Sequence, residues 1–151
     1  MKTVLIVEDE KMIRQGIKTM IMRSGVPIET IMECNNGETA LEILKEQEID
    51  VMFTDIRMPK MDGIELVQKM QSLEHIPLTA AISGYDDFEY ARQAIEVGVD
   101  QYLLKPVTRM KLKNVLLELK DKIEQDQEQE DYRTQFQNEI QEYEQFSRRR
   151  L

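Results

Sequence analysis

The chain has little of what would place it outside the cell or in a membrane. Cys34 is its only cysteine, so no intrachain disulfide can form, a composition compatible with a reducing cytoplasm. No apolar run approaches the roughly 18 residues of a membrane span. The opening Met1-Lys2-Thr3-Val4-Leu5-Ile6-Val7 meets Glu8-Asp9-Glu10 too soon to hold a signal-peptide core. Positive charge is also scarce: 20 Lys and Arg stand against 29 Asp and Glu, a net charge of −9, which argues against broad nucleic-acid binding through this surface. The one histidine, His75, lies in a loop stretch with no partner evident and reads as a solvated side chain rather than a phosphoryl relay. The expectation is a cytoplasmic protein without a membrane partner.

What is present is enough for a real core. With 151 residues, 41% hydrophobic and 32% charged, the chain allows one ordinary domain plus an appendage. Thr3 to Val7 is an apolar β-branched run, read as a first strand. Met12, Ile13, Gly16, Ile17, Met20 and Ile21 follow at helical spacing, closed by Gly25-Val26-Pro27. Ile28 to Glu33 alternates as a weak edge strand, and Asn35-Asn36-Gly37 turns into a helix carrying Ala40, Leu41, Ile43 and Leu44. Val51-Met52-Phe53 is a third strand running through Thr54 into Asp55, and Ile64, Leu66, Val67 and Met70 mark the helix after it. Pro77 to Ile82 is a fourth strand. Phe88, Ala91, Ala94, Ile95 and Val97 share one face of the next helix, stopped by Gly98, and Asp100 to Leu104 is a fifth short strand. This alternation implies βαβ units, right-handed crossovers and a parallel sheet covered on both faces.

Such a sheet gathers chemistry at one edge. Glu8, Asp9, Asp55, Ser83 and Lys105 each fall at or just past the carboxyl end of a strand, where open α/β sheets bind ligands. Taken alone, Asp55 could start a turn or cap the next helix. Together, three carboxylates, a hydroxyl and an ammonium form a consistent set. Clustered carboxylates repel unless a cation is present, and hard oxygen ligands suit Mg²⁺. With the ion and Lys105 neutralising phosphoryl oxygens and Ser83 hydrogen-bonding one of them, Asp55 could attack in line and become an aspartyl phosphate.

Glu8-Asp9, Thr54-Asp-Ile-Arg-Met-Pro-Lys-Met-Asp-Gly63, Ser83-Gly-Tyr-Asp-Asp and Tyr102-Leu-Leu-Lys-Pro106 together resemble the receiver domain of two-component response regulators. The motifs match in order, separated by 46 residues from Asp9 to Asp55, 28 to Ser83 and 22 to Lys105, and the resemblance runs from Met1 to about Leu119. It implies a flavodoxin-like (CheY-like) doubly wound sheet of five parallel strands in the order 2-1-3-4-5. It also implies that Asp55 is the phosphoacceptor, that Asp9, Asp55 and the Arg57 backbone carbonyl bind Mg²⁺ directly, and that Glu8 acts mainly through water. Lys105 would contact the phosphoryl group across a cis Lys105-Pro106 bond, and Ser83 and Tyr102 would form the switch. Such a domain catalyses only its own phosphorylation and dephosphorylation, with a sensor histidine kinase as donor. Glu8 and Ser83 stand where the family often has Asp and Thr.

Blander readings exist for each residue. Glu8-Asp9 could cap the first helix, Lys105 could be a surface lysine before a helix-starting proline, and Tyr102 could be an ordinary strand aromatic. Rival chemistries fit less well. A haloacid-dehalogenase-type phosphatase needs a second Asp two positions after Asp55, where Arg57 stands. A flavodoxin needs a phosphate-cradling loop where this chain has acids.

Beyond Pro106, Met110, Leu112, Val115, Leu116, Leu119 and Ile123 repeat at helical spacing, as a helix covering the sheet would. From Glu118 to Gln145 there are ten acids against three bases, with no Pro or Gly. Within this polar stretch Tyr132, Phe136, Ile140, Tyr143 and Phe146 form an apolar stripe suited to a partner helix, the alternative being a solvated linker. The division expected is a receiver at 1–120 and a helical or coiled-coil-like extension at 121–151. The run from Ser83 is similar to receivers that precede an AraC-type (YesN-like) output domain, for which the remaining residues leave no room. The resemblance therefore implies the receiver of a transcription regulator, dimerising through its fourth helix, fifth strand and fifth helix, with DNA reached only through an output domain this chain does not carry. The alternative is a single-domain receiver acting as a phosphorelay shuttle or protein-binding module.

Overall fold

A computed structural model describes residues 1–84 and 88–150, the last three by backbone alone. Tyr85-Asp86-Asp87 of the Ser83 motif, the side chains of the Arg148-Arg149-Arg150 run and Leu151 lie outside the described residues. The chain divides into two compact units, Met1–Leu119 and Lys120–Leu151.

The first unit alternates strand and helix: β1 (Thr3–Val7), α1 (Lys11–Met22), β2 (Thr30–Cys34), α2 (Gly37–Glu46), β3 (Val51–Asp55), α3 (Gly63–Met70), β4 (Leu78–Ser83), α4 (Phe88–Val97), β5 (Gln101–Leu104) and the start of α5 (Arg109–Arg150). All pairings are parallel, in the order β2-β1-β3-β4-β5. This is the doubly wound, flavodoxin-like order that the resemblance implied.

The central strands are apolar on both sides because both faces are covered. Leu5, Val7 and Met52 pack with Ala40, Leu44, Leu66, Val67 and Met70 from α2 and α3. Val4, Ile6 and Phe53 alternate to the opposite face and are equally inaccessible. On α1 and α5, Ile17, Ile21, Leu112, Val115, Leu116 and Leu119 are buried.

Several expectations from periodicity need correction. In α1, Met12 is 88% exposed, and in α5, Met110 is 75% exposed, so neither belongs to its helix's buried stripe. In α4, of the residues expected on one face, Phe88 at 80% and Ile95 at 69% are exposed, while Ala94 is buried and Val97 packs beside it, joined by Tyr90, against Ile56, Ile64 and Ala81. The helix is rotated so that positions 90, 94 and 97, also a 3.6-residue repeat, face the sheet. β2 begins at Thr30 rather than Ile28: the Glu29 and Thr30 N–H groups both donate to the Lys2 carbonyl at 3.0 and 2.9 Å, which starts the pairing with β1 there. α1 ends at Met22, before Gly25, whose φ of 81° makes the turn. His75 does have a partner, its Nε2 donating to the Ile49 carbonyl at 3.0 Å.

Edge strand β2 is tied down by charge. Glu33 accepts from Arg14 Nε at 3.0 Å and Gln15 Nε2 at 2.8 Å, and Lys18 Nζ lies 3.1 Å from its other oxygen. The Arg14 and Lys18 hydrogen bonds hold the Glu33 carboxyl below its usual pKa. A depressed acid stabilises the fold above its unfolded pKa and loses that contribution as pH falls through the folded value. Glu33→Gln should therefore lower the melting temperature at pH 7, by an equivalent of about 0.5–1 kcal/mol for a part-exposed pair. The gap to the unsubstituted protein should close below about pH 4; a gap independent of pH would mean that packing, not charge, is responsible.

Cys34, the next residue and the last of the same strand, is buried, and burial pushes its thiol up to about 11. Native Cys34 should react with iodoacetamide at neutral pH about a hundredfold more slowly than in the denatured chain, as its thiolate is that much scarcer. Labelling followed by mass before and after denaturant checks this, and equal rates would show that β2 opens readily.

The second unit is helical through Arg150. Tyr132, Phe136, Ile140, Tyr143 and Phe146 are all exposed on it. Local pairs such as Gln127 with Asp131 at 2.9 Å and Lys120 with Glu124 at 3.7 Å run along it, each worth only tenths of a kcal/mol.

Candidate functional site

Register brings the chemistry to one edge. Val7 pairs with Thr54, Asp55 with Ile82, and Ser83 with Leu104. Glu8-Asp9 just past β1, Asp55 ending β3, Ser83 ending β4 and Lys105 just past β5 therefore line the same crevice. One carboxylate oxygen from each of Glu8, Asp9 and Asp55 lies within 4.8 Å of the others. Glu8 and Asp55 are buried while Asp9 is exposed, so the cluster opens to solvent on the Asp9 side.

The acids do not serve as helix caps. Glu10 is the N-cap of α1, with no side-chain capping bond. Glu8 Oε1 accepts the Glu10 N–H at 3.1 Å, and Arg14 Nη1 donates to the Glu8 carbonyl at 2.9 Å, which fixes the turn. Glu8 Oε2 is buried with no hydrogen-bond partner among the described residues. Burial first, and the facing Asp55 carboxyl second, push the Glu8 pKa up to about 8. This is the electrostatics of a site short of positive charge. Its all-oxygen donors and the orphaned buried oxygen fit a hard divalent cation such as Mg²⁺.

Lys105 supplies part of the missing charge, with Nζ 3.2 Å from Asp55 Oδ2. Burial alone would depress its pKa, but Asp55, aided by Glu8 and Glu10, outweighs this and raises it, so the ammonium stays charged. The Lys105-Pro106 bond is cis, and the Lys105 N–H donates to the Ser83 carbonyl at 2.7 Å. Ser83 is buried, with Oγ 3.5 Å from the Gly84 carbonyl oxygen. Tyr102 is partly buried and packs against the Ile56, Ile64, Ala81 and Ala94 cluster, its hydroxyl buried without a partner among the described residues.

The loop after Asp55 is held from both sides. The Ile56 N–H donates to the Ile82 carbonyl at 3.0 Å, and the Gly63 N–H to the Ile56 carbonyl at 2.7 Å. Asp62 caps α3 by accepting the Glu65 N–H at 2.8 Å, and Lys60 takes the left-handed conformation with φ 67°.

Three features escaped the sequence. Gly63 admits no side chain: an added Cβ would stand 2.5 Å from the Asp55 carbonyl oxygen and 2.9 Å from Ile56 Cα. The Arg57 guanidinium lies over the Tyr90 ring, 5.3 Å from its centroid. Ile13, Gly16, Ile17, Met20, Pro106 and Val107 line, with Lys105, an apolar groove of about 230 Å³. The signal for the groove was a glycine inside an apolar helical stripe; the other two had none.

Among proteins of known sequence or structure, a family model described as the response regulator receiver domain matches residues 4–117. An uncharacterized response regulatory protein of Staphylococcus epidermidis is 37% identical over 113 residues, 75% of this chain and 44% of that protein. The uncharacterized transcriptional regulatory protein YesN of Bacillus subtilis is 32% identical over 124 residues, 80% of this chain and 34% of its own length. The chain thus spans less than half the length of these curated relatives. Among solved structures, a two component transcriptional regulator AraC from Clostridium phytofermentans superposes with a TM-score of 0.74 at 32% identity, covering 85% of this chain and 99% of that one.

Proposed function

This chain belongs to the response regulator receiver domain family, and we propose that it is a phosphoacceptor switch in which Asp55 takes a phosphoryl group from a sensor histidine kinase. The observation that carries this reading is the contact of Lys105 Nζ with Asp55 Oδ2 at 3.2 Å beside two further carboxylates. Asp9, Asp55 and the Arg57 backbone carbonyl would hold Mg²⁺, with Glu8 acting through water; the ion would neutralise non-bridging phosphoryl oxygens. Asp55 attacks phosphorus in line, its carboxylate forming the new P–O bond as the donor's bond breaks. Lys105 follows the transferred oxygens, and the Ser83 hydroxyl turns toward one of them. That movement frees space beneath the β4 end into which Tyr102 settles, its buried hydroxyl having no described bond to give up.

The output follows from surfaces left bare. Phe88 and Ile95 on α4, Leu104 on β5 and Met110 on α5 are exposed apolar residues on the elements through which a homodimer would form, and the Tyr132 to Phe146 stripe offers a second, helical contact. Residues 1–120 act as the receiver and 121–151 as the extension toward an AraC-type DNA-binding domain, a reading supported by the YesN and AraC likenesses. Incubation with acetyl phosphate with and without Mg²⁺ tests the chemistry by intact mass. A magnesium-dependent, base-labile adduct of one phosphoryl group is expected, with a shift from monomer to dimer in light scattering; no adduct would refute the assignment.

A further inference from the structure

The Arg57 side chain has no part in the chemistry above, which uses only its backbone carbonyl, yet its position is closely determined. Arg57 stands between Ile56 and Met58, which are buried in two different clusters on the α4 side and the α2–α3 side. Its backbone is thus pinned two residues past Asp55, and its side chain leaves toward solvent and lies over Tyr90 of α4. Tyr90 packs on the same cluster as Tyr102, a cluster that includes Ile56. Among cation–π pairs, Arg with Tyr sets a flat guanidinium on a flat ring, which specifies orientation as well as distance.

We infer that the Arg57–Tyr90 stack is a tether between the phosphoacceptor loop and α4, making Arg57 a positioning residue that passes a change at the Asp55 crevice to the helix carrying exposed Phe88 and Ile95. The inference rests on the proposed role of Asp55 for its input, but the tether itself exists without phosphorylation. Two consequences follow. Loss of the stack loosens α4 in the resting protein, and because coupling between two sites is reciprocal, a change at Tyr90 also alters how tightly the crevice holds its ligand.

The test uses the full chain and four variants: Arg57→Ala, Tyr90→Leu, Tyr90→Phe and the double variant Arg57→Ala with Tyr90→Leu. Amide hydrogen exchange across 88–97 is read without phosphodonor, and the Mg²⁺-dependent affinity for beryllofluoride, a phosphoryl mimic, is read by titration. Arg57→Ala and Tyr90→Leu should each speed exchange in α4 and weaken beryllofluoride binding by about two- to fivefold, the range an exposed cation–π contact supports. Tyr90→Phe keeps a ring face and should match the unsubstituted protein in both. The double variant should be no worse than either single one, as for two halves of one contact. Additive losses, or α4 exchange unchanged in Arg57→Ala, would overturn the tether. If no variant nor the parent bound beryllofluoride or became phosphorylated, the phosphoacceptor reading would fall, while the exchange result would still decide on the tether.

Discussion

Asp55→Asn is expected to end phosphorylation outright, with the acetyl phosphate adduct falling at least about a thousandfold while the fold survives. The amide that replaces the carboxylate is no nucleophile, and neither neighbour can take over. Glu8 is buried and committed to the Glu10 N–H, and Asp9 is exposed on the solvent side. Loss of an attacking group is the most severe change an active site can suffer. The fold survives because the substitution is nearly isosteric, and because two opposing effects change together: the pair with Lys105 is weakened, and the repulsion between Asp55 and Glu8 is removed. Melting temperature in magnesium-free buffer should therefore be equal to or above that of the unsubstituted protein. Lys105→Ala separates the two effects differently. It leaves Asp55 nucleophilic but takes away the ammonium that faces it, and should slow phosphorylation by about a hundredfold or more. Intact mass at fixed times distinguishes the two, since Asp55→Asn gives no adduct at any time and Lys105→Ala a delayed one. An adduct of normal yield on Asp55→Asn would move the acceptor elsewhere and dismantle the assignment.

How far such a site can be read from sequence depends on what fixes each residue. β1 and β3 are legible because strands buried on both faces become unbroken apolar runs, and the acids at their ends are conspicuous against that background. Their convergence follows from parallel topology alone, so Asp55 and Lys105 could be expected together although 50 residues separate them. Helix faces are less determined. The apolar residues of α4 at 88, 91, 94, 95 and 97 share a broad face, and only the shape of the sheet beneath it decides that Ala94 goes in, with Tyr90 and Val97 beside it, while Phe88 and Ile95 stay out. The methionines at 12 and 110 mislead for the same reason: they continue a period past the point where there is core to meet. His75 and Arg57 find partners, a carbonyl and a ring, that no local pattern announces.

Gly63→Ala shows how a residue outside the chemistry can be the most constrained one near it. On local grounds the change should help: Gly63 is the first residue of α3, its φ is not in the left-handed region, and alanine is the better helix former. The surroundings reverse the sign. The new methyl would meet the Asp55 carbonyl oxygen at 2.5 Å and Ile56 Cα at 2.9 Å, both backbone atoms. Asp55 pairs with Ile82 of β4, the preceding residues of β3 are also held by β1, and the Ile56 N–H is bonded to Ile82, so this backbone cannot withdraw without breaking sheet contacts. Moving α3 instead would break the 2.7 Å bond from the Gly63 N–H to Ile56 and the Asp62 cap. Overpacking against backbone of this kind costs about 2–3 kcal/mol or more, a large share of the stability of a domain this size. Phosphorylation should fall as well, because the displaced carbonyl belongs to the proposed acceptor itself. Gly16→Ala is the matched control. It lies within α1, an added Cβ would meet nothing within 4 Å, and a gain of about 0.5–1 kcal/mol is expected there. Urea denaturation of the two variants should place them on opposite sides of the unsubstituted protein; a Gly63→Ala midpoint at or above it would mean that the β3–α3 loop yields freely and that Asp55 is not held by the backbone behind it.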